Sequence, residues 1–353
     1  DYQIEHFWDL DNGGFNFTSD LSEKLIINSK EIYDGKIILK YTYIDLFAGI
    51  GGMRLGFDQA CNELGYKSEC IFSSEWDSKC QETYEINFGE KPDGDITEIV
   101  QNNIEKIKKH DVLMAGFPCQ PFSNAGLRKG FNDTRGTVFH DIAQVIKYRK
   151  PKAFILENVK GLRSHDKGNT LGVILKVLKE DLGYFVPDPQ VLNSKDFGLP
   201  QNRQRIFIVG FLKSNDFTFP EPLDLKTKVS QILNSGRPPK KYIISQRLWD
   251  SHKARKSKNK KAGKGFGYSL KTANDEYTNT ISARYYKDGA EILIKRRNHD
   301  IQRKLTPDEA RQLQGFPSNF IVNNSDVQAY KQFGNAVSVP VVRELSKRIL
   351  KFI

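Results

Sequence analysis

Short apolar runs alternate with stretches of helical periodicity between residues 41 and 211. Several runs, such as "DVLMAG" and "RIFIVGF", are continuously apolar, which is typical of strands in a parallel sheet covered on both faces. Alternation of strands and helices over about 170 residues predicts an α/β fold with a doubly wound, mostly parallel sheet. The predicted strands are 41–47, 69–76, 111–116, 152–159 and 205–211, and a helix is predicted over 137–150 before Pro151.

The pattern changes after about residue 220, where a basic, glycine-containing stretch lacks periodicity. The following "NTISARYYKDGAEILI" predicts a β-hairpin with "KDG" as its turn. We therefore expect a second, smaller domain before the chain returns to helical structure. The predicted division is an N-terminal extension at 1–40, a main domain formed by 41–220 and 318–353, and a smaller domain at 221–317.

The chain carries 54 Lys and Arg against 43 Asp and Glu, a net charge of +11. Such an excess indicates a polyanionic partner, nucleic acid first, although a basic protein without one fits composition equally well. No run of apolar residues is long enough to span a membrane, and the N-terminus lacks a signal pattern. We expect a cytoplasmic protein without membrane contact.

The four cysteines are Cys61, Cys70, Cys80 and Cys119, and none of them is in CxxC spacing. A disulfide framework or a zinc site is therefore not expected, and no metal is assigned. We interpret Cys61, Cys70 and Cys80 as structural, the usual role of an isolated cysteine.

A glycine-rich turn, "DLFAGIGG", follows the first predicted strand, and the second strand ends in an acid and an aromatic residue. Glycines allow close approach of a ligand, and an acid at the next strand end is where α/β folds bind ribose hydroxyls. The spacing is not GxGxxG, so an adenosine-type ligand such as S-adenosylmethionine fits better than NAD. The candidate residues are Gly49, Gly51, Gly52, Glu75, Trp76, Asp95 and Ile96.

Cys119 differs from the other cysteines because it follows the strand "DVLMA" directly, between Pro118 and Pro121. The two prolines stiffen the backbone around the thiol. The segment after it, "SNAGLRKGFNDTRG", contains three glycines and four charged residues and is typical of a loop that closes over a substrate.

Glu157 ends the next predicted strand, and Arg203 and Arg205 alternate by two at the start of the last one. Each could be an ordinary surface residue when taken alone. A thiol, an acid and guanidinium groups on one sheet edge, however, form a plausible catalytic site.

Six motifs occur in a fixed order along the chain: "DLFAGIGG", "GFPCQPFS", "ENVKGL", "QNRQRIFIVG", "KLTPDEARQLQGFP" and "QFGNAVSVPVV". Their order resembles that of the DNA (cytosine-5)-methyltransferases, especially the short bacterial enzymes of restriction–modification type. The resemblance covers residues 41 to 353 apart from the stretch between 215 and 300. In the fifth motif, Asp308 and Gln312 stand where the family often has Arg.

The resemblance implies that the thiolate of Cys119 adds to carbon 6 of cytosine, so that carbon 5 accepts the methyl group of S-adenosylmethionine. A base then removes the carbon 5 proton and the thiol is eliminated. Glu157 would protonate ring nitrogen 3, Arg205 would contact the base oxygen, and Arg203 would steady the Cys119 loop. The implied cofactor pocket contains Phe47, Glu75, Trp76, Asp95, Ile96, Pro118 and Asn335; Glu75 would bind the ribose, Trp76 would stack on adenine and Asp95 would meet its amino group.

The resemblance also implies a double-stranded DNA substrate whose target base is flipped out. The smaller domain would read the major groove. The basic run Lys253–Lys264 is either a phosphate contact or a solvated disordered loop. We expect a monomer, with a cognate restriction endonuclease that acts on the same site without necessarily binding.

Alternatives are an RNA cytosine methyltransferase of the same fold, an inactive DNA-binding relative, and a nicotinamide enzyme on a similar fold. The long variable region favours DNA, intact Cys119 and Glu157 favour activity, and the missing pyrophosphate signature disfavours NAD. "GKGFGY" followed by "SARYYKDGAEILI" is similar to target domains for sites beginning CC, such as CCGG or CCWGG.

Overall fold

A computed structural model of the chain describes residues 26–27, 30–33, 36–118, 134, 137–323 and 325–353. Cys119 lies outside the described residues, and so does the predicted closing loop apart from Thr134. The predictions that concern them are therefore not tested by the fold. Within the described part of the chain, no helix is both long and apolar enough to cross a membrane.

The central feature is a mixed sheet in which four neighbouring strands run parallel, in the order β4, β3, β5, β6. On one side, β8 pairs with β6, and β7 pairs with β8. On the other side, β2 pairs antiparallel with the first residues of β3, and β1 pairs antiparallel with β2. This confirms the predicted α/β class with a mostly parallel sheet. The strands are β1 (Ile26–Ile27), β2 (Lys30–Tyr33), β3 (Lys36–Leu46), β4 (Lys67–Ser74), β5 (Val112–Gly116), β6 (Ala153–Val159), β7 (Gln190–Asn193), β8 (Gln204–Phe211), β9 (Leu270–Lys271) and β10 (Leu293–Ile294).

Two details of the strands differ from the sequence prediction. Strand β3 begins at Lys36, so the boundary placed after residue 40 falls inside a strand. Strand β8 is antiparallel to β6, although its continuous apolar run suggested a parallel neighbour. Both faces of β8 are buried, and burial on both faces produces such a run whatever the strand direction.

The helices begin where polar side chains satisfy free backbone N–H groups. Asp77 accepts from the amides of Lys79 and Cys80, and Thr306 and Glu309 form a capping box. The helices are α1 (Gly52–Glu63), α2 (Ser78–Phe88), α3 (Ile96–Asn103), α4 (Val138–Arg149), α5 (Asn169–Lys176), α6 (Gln246–Lys261), α7 (Tyr285–Asp288), α8 (Pro307–Leu313), α9 (Asp326–Asn335) and α10 (Val339–Ile349).

Two apolar clusters cover the opposite faces of the sheet. One contains residues of α4 and α5, and the other joins α1 to the C-terminal helix α10. The contact between α1 and α10 is so close that a Cβ on Gly56 would lie 2.5 Å from Val342. The C-terminal helix therefore packs directly against α1.

A third cluster joins the smaller region to the main fold through residues such as Ile50, Ile281 and Phe333. The predicted hairpin here is wrong: residues 285–288 form the helical turn α7, and β10 pairs parallel with β9. The Tyr285 hydroxyl donates to the Ile292 carbonyl and accepts from the Leu305 amide, which holds this turn inside the cluster. The "KDG" glycine, Gly289, ends α7 with φ +64° instead of forming a two-residue hairpin turn.

Candidate active site

Glu157 and Arg205 form an ion pair at one edge of the sheet. The Arg205 Nε atom donates to Glu157 Oε1 over 2.9 Å, and the side chains are only 18% and 12% exposed. Because β8 is antiparallel to β6, the start of β8 lies beside the carboxyl end of β6, with Arg205 opposite Val159. The reversed strand is therefore what brings the arginines to the acid; a parallel strand would have started at the other edge.

The same edge leads directly to Cys119. Gly116 is the register partner of Glu157, and a Cβ on Gly116 would lie 3.6 Å from Glu157 Oε2. The Phe117 amide donates to the Glu157 carbonyl. The acid thus lies against the backbone two to three residues before Cys119, and the exposed Pro118 follows at once.

Arg203 is almost completely buried, at 1% exposure, and donates to three carbonyl oxygens. These belong to Ile281, Gly334 and Ala336, at distances of 2.7 to 3.0 Å. Arg203 therefore ties the start of β8 to the segment before α7 and to both neighbours of Asn335. Its implied contact with the Cys119 loop lies outside the described residues.

Burial raises the pKa of the Glu157 carboxyl, while Arg205 and Arg203 act in the opposite direction. The net shift is upward, which increases the protonated fraction at neutral pH. Burial and the neighbouring Arg205 lower the pKa of Arg203 to about 9, so its guanidinium is still charged at neutral pH. We call Glu157, Arg203 and Arg205 the acid–arginine cluster.

The glycine-rich turn follows β3 with alternating left-handed residues. Phe47 has φ +56°, Gly49 +56° and Gly51 +83°. A Cβ on Gly49 would meet nothing within 4 Å, whereas one on Gly51 would collide with Phe88 and one on Gly52 would lie 2.9 Å from Val337. Gly49 therefore faces open space available to a ligand, while Gly51 and Gly52 are required by packing.

Glu75 and Trp76 come directly after β4, beside this turn. The Glu75 carboxylate is buried and accepts from the amides of Gly49 and Asp77, at 2.8 and 2.9 Å. Trp76, in contrast, is 74% exposed. The acid is locked to the turn, and the indole is free to stack on a planar ligand.

Residues 93–96 are held against the end of β4, because the Glu75 amide donates to the Asp93 carbonyl and the Asp93 amide to the Ser73 carbonyl. Asp95 is exposed and caps α3 by accepting from the Thr97 amide over 2.9 Å. Ile96 is buried in the core cluster. The glycine turn, the end of β4 and residues 93–96 therefore lie at one edge of the sheet. We call Gly49, Glu75, Trp76 and Asp95 the glycine-turn cluster.

Asn335 is the last residue of α9 and is exposed. It lines a cleft of about 260 Å³ together with Asp77 and Cys80 from the start of α2 and Arg284 and Lys287 from the segment of α7. The cleft thus connects the surroundings of Trp76 with the smaller region.

Asn158 follows Glu157 in the motif "ENVKGL", and no role was predicted for it from the sequence. It is buried, and its Nδ2 atom donates to the Phe117 carbonyl over 2.9 Å. It therefore fixes the backbone just before Pro118 and Cys119. Its only sequence signal was its position next to Glu157.

The α/β fold thus places the glycine turn and the strand-end acid paired with arginine at the edge of the sheet where such folds bind their ligands. Residues 41–351 match the family of C-5 cytosine-specific DNA methylases. The chain belongs to this family and is a DNA (cytosine-5)-methyltransferase.

Its relatives are bacterial Type II methyltransferases. The chain is 52% identical to M1.ScrFI of Lactococcus lactis subsp. cremoris over 340 residues, which cover 94% of this chain and 84% of the relative. It is 54% identical to M.NlaX of Neisseria lactamica over 311 residues, which cover 88% and 96%. The crystal structure of the S. pombe Dnmt2 methyltransferase matches with a TM-score of 0.70 at 17% identity, covering 88% of this chain and 98% of that one, which shows the shared fold.

Proposed function

We propose that the enzyme transfers the methyl group of S-adenosylmethionine to carbon 5 of a cytosine flipped out of a short specific duplex site. The observation that carries this proposal is the buried Glu157–Arg205 pair, which lies over the backbone that leads into Cys119. An acid whose pKa is raised by burial and that is held by a guanidinium group is suited to donate a proton to a ring nitrogen.

The glycine-turn cluster fits the proposed cofactor. Gly49 leaves open space beside the turn, Trp76 presents a free aromatic face, and the Glu75 carboxylate retains lone pairs that its two amide contacts do not use. Asn335 and Asp95 are exposed nearby and Phe47 supplies partly exposed apolar surface, whereas Ile96 is buried in the core cluster. When bound, S-adenosylmethionine supplies an electrophilic methyl group.

Cys119 acts as the nucleophile in this proposal, and the other three cysteines are poor candidates. Burial raises the pKa of Cys61 and of Cys70 to about 12 and shifts that of Cys80 upward as well. All three are therefore protonated at neutral pH, and a thiol is a weak nucleophile. The Cys119 sulfur bonds to carbon 6 of the base while Glu157 supplies the proton to nitrogen 3, and carbon 5 then accepts the methyl group. A general base removes the carbon 5 proton, the bond between sulfur and carbon 6 breaks, and the nitrogen 3 proton returns to Glu157.

Flipping of the base follows from where the acid lies. The Glu157 side chain is only 12% exposed beside β5, so a base stacked in a duplex would not reach it. Extruding one base costs a few kcal/mol. Contacts of the smaller region with DNA are the proposed source of that energy.

For the target we propose a site that begins with CC, such as CCGG or CCWGG, because of the "GKGFGY" and "SARYYKDGAEILI" segments. The enzyme would act as a monomer in the bacterial cytoplasm, on the nucleoid, and protect DNA from a cognate endonuclease.

The test is methylation of plasmid DNA by the purified enzyme with S-adenosylmethionine, read by bisulfite sequencing at every cytosine. We expect conversion to be blocked only at sites beginning with CC, and everywhere restored with a Cys119→Ala variant. Methylation confined to another site would refute the target, whereas methylation of RNA but not of duplex DNA would refute the substrate.

A further inference from the structure

Helix α6 and the three residues after it concentrate the positive charge of the chain. Residues 246–264 contain eight Lys or Arg and one acid, Asp250, and so hold seven of the eleven net positive charges. The sequence analysis left a disordered loop as one interpretation of this stretch. The structure instead contains a 16-residue helix over Gln246–Lys261 that Ser245 caps at its start.

One face of α6 is anchored in the protein. Trp249 and His252 are the buried residues of the helix, and Trp249 packs in a small apolar cluster with Leu293. Gly267 lies so close that a Cβ on it would be 2.5 Å from the Lys256 backbone. A helix held this way presents its other face in a fixed orientation.

Two of the cations contribute to this anchoring. Arg255 pairs with Asp288 at the end of α7 and donates to the Gly267 carbonyl. Lys256 lies over the Tyr268 ring at 4.4 Å, whereas Lys253 pairs with Asp250 within α6 itself. The remaining cations are exposed and have no ion-pair partner among the described residues; they are Arg247, Lys258, Lys260, Lys261 and Lys264.

Arg247, Lys258 and Lys261 fall on the outward face. Together with Ser251 and Ala254 their spacings are four, three, four and three residues, which forms one row along a helix. The row is about 21 Å long, since a helix rises 1.5 Å per residue, and this is the length of about six base pairs. Small side chains beside the cations leave a shallow depression that Ala254, Ser257 and Ala262 help to line.

Part of this charge is unfavourable in the isolated fold. Lys258 and Lys261, three residues apart, repel each other, although both gain from the helix dipole in the last turn of α6. Arg247 lies in the first turn, where the dipole disfavours a cation. A row of unneutralised charge on a rigid helix is complementary to a regularly spaced polyanion.

We propose that Arg247, Lys258 and Lys261 bind the phosphate backbone of the duplex DNA that the enzyme methylates, without reading bases. This proposal rests on the proposed function, because it assumes that the duplex is the substrate. Arg and Lys can also donate to guanine O6 and N7, so the preference for the target site is measured beside the salt dependence to separate phosphate contact from base reading. A lipid surface fits less well, since the apolar residues of α6 are already packed inside the protein.

The test compares the salt dependence of binding to a duplex that lacks the target site, measured by fluorescence anisotropy. The variant is R247Q/K258Q/K261Q. The matched control is K108Q/K109Q/K213Q, which removes the same charge from exposed positions before β5 and after β8, at the sheet edge opposite Glu157. A third variant, R247K/K258R/K261R, keeps the charge.

We expect the slope of log K against log salt to become shallower by about 2 to 3 in the first variant, since each phosphate contact contributes about 0.9. The charge-conserving variant should retain the wild-type slope, and the control should stay close to it. A first variant that binds like the wild type, or like the control, would overturn the proposal. If the first variant lost the preference of the wild type for the target site over other DNA, the proposal would also be overturned, because the row would then read sequence.

Failure of this inference is distinguishable from failure of the proposed function. A wild-type enzyme that methylates its DNA site while the first variant keeps its full salt slope refutes only the role of α6. A wild-type enzyme that methylates no DNA refutes the proposed function, and the α6 proposal with it.

Discussion

The acid–arginine cluster and the glycine-turn cluster lie on one sheet edge but hold their side chains differently. Arg203 is 1% exposed and Glu157 is paired within the protein, whereas Trp76 is 74% exposed. The first cluster is organised before any ligand arrives. In the second cluster, the Glu75 carboxylate fixes the backbone of the turn, but the side chains of Trp76 and Asp95 are exposed and are left for a ligand to contact. We therefore expect changes in the first to lower kcat and changes in the second to raise KM for the cofactor.

The largest expected effect is that of Glu157→Gln. The amide keeps the shape but cannot supply the proton, so kcat should fall by about 10²- to 10⁴-fold. Steady-state methylation of a duplex containing the target measures it, with Glu180→Gln, an exposed acid in the described chain, as the control. Near-normal kcat would remove Glu157 from the chemistry.

Arg205→Ala should have a smaller effect and a pH signature. Loss of a charge-assisted hydrogen bond worth roughly 1.5 to 3 kcal/mol predicts a decrease in kcat of about 10- to 100-fold. Arg205 lowers the pKa of Glu157, so without it that pKa rises further. If the protonated acid is the active form, activity declines as pH rises through this pKa, and the decline should move to higher pH in the variant. Arg348→Ala is the control. If activity in Arg205→Ala declined at the same pH as in the wild type, or at a lower pH, Glu157 would not be the acid that Arg205 controls.

Trp76→Ala should have the smallest effect and a different character. Loss of one stacking contact, worth about 0.5 to 1.5 kcal/mol, predicts a rise in the cofactor KM of about 3- to 10-fold with little change in kcat. Because the indole is exposed, thermal stability should stay the same. Trp76→Phe should restore most of the affinity; a kcat defect without a KM defect would place Trp76 in the wrong cluster.

Much of the sheet and its edge could be predicted from the sequence because apolar runs and strand-end residues have strong local signals. One predicted strand leads into the turn glycines, and two others contain Glu75 and Glu157 near their carboxyl ends. The structure brings these residues to one edge of the sheet. The antiparallel direction of β8 could not be predicted, since an apolar run carries no direction. It is nevertheless the feature that places Arg205 beside Glu157.

The smaller region was predicted less well because long-range contacts determine its structure. The "KDG" segment has the composition of a hairpin turn, yet the burial of Tyr285 makes the preceding residues a helical turn. Helix α6 escaped detection because only Trp249 and His252 are buried, too few for a visible apolar period. Arg203 was placed at the correct strand start, but its bonds to Ile281, Gly334 and Ala336 depend on distant segments.

The most direct test of the central claim, addition of the Cys119 thiolate to carbon 6 of cytosine, uses duplex DNA with 5-fluorocytosine at the target position. Fluorine at carbon 5 cannot leave as a proton does, so the thiol cannot be eliminated. Incubation with the enzyme and S-adenosylmethionine, followed by denaturing electrophoresis and mass spectrometry, detects a covalent protein–DNA complex. We predict that the wild type forms the complex through Cys119 and that Cys119→Ala does not. A complex formed by the Cys119→Ala protein, or none with an enzyme that methylates normal DNA, would contradict the account.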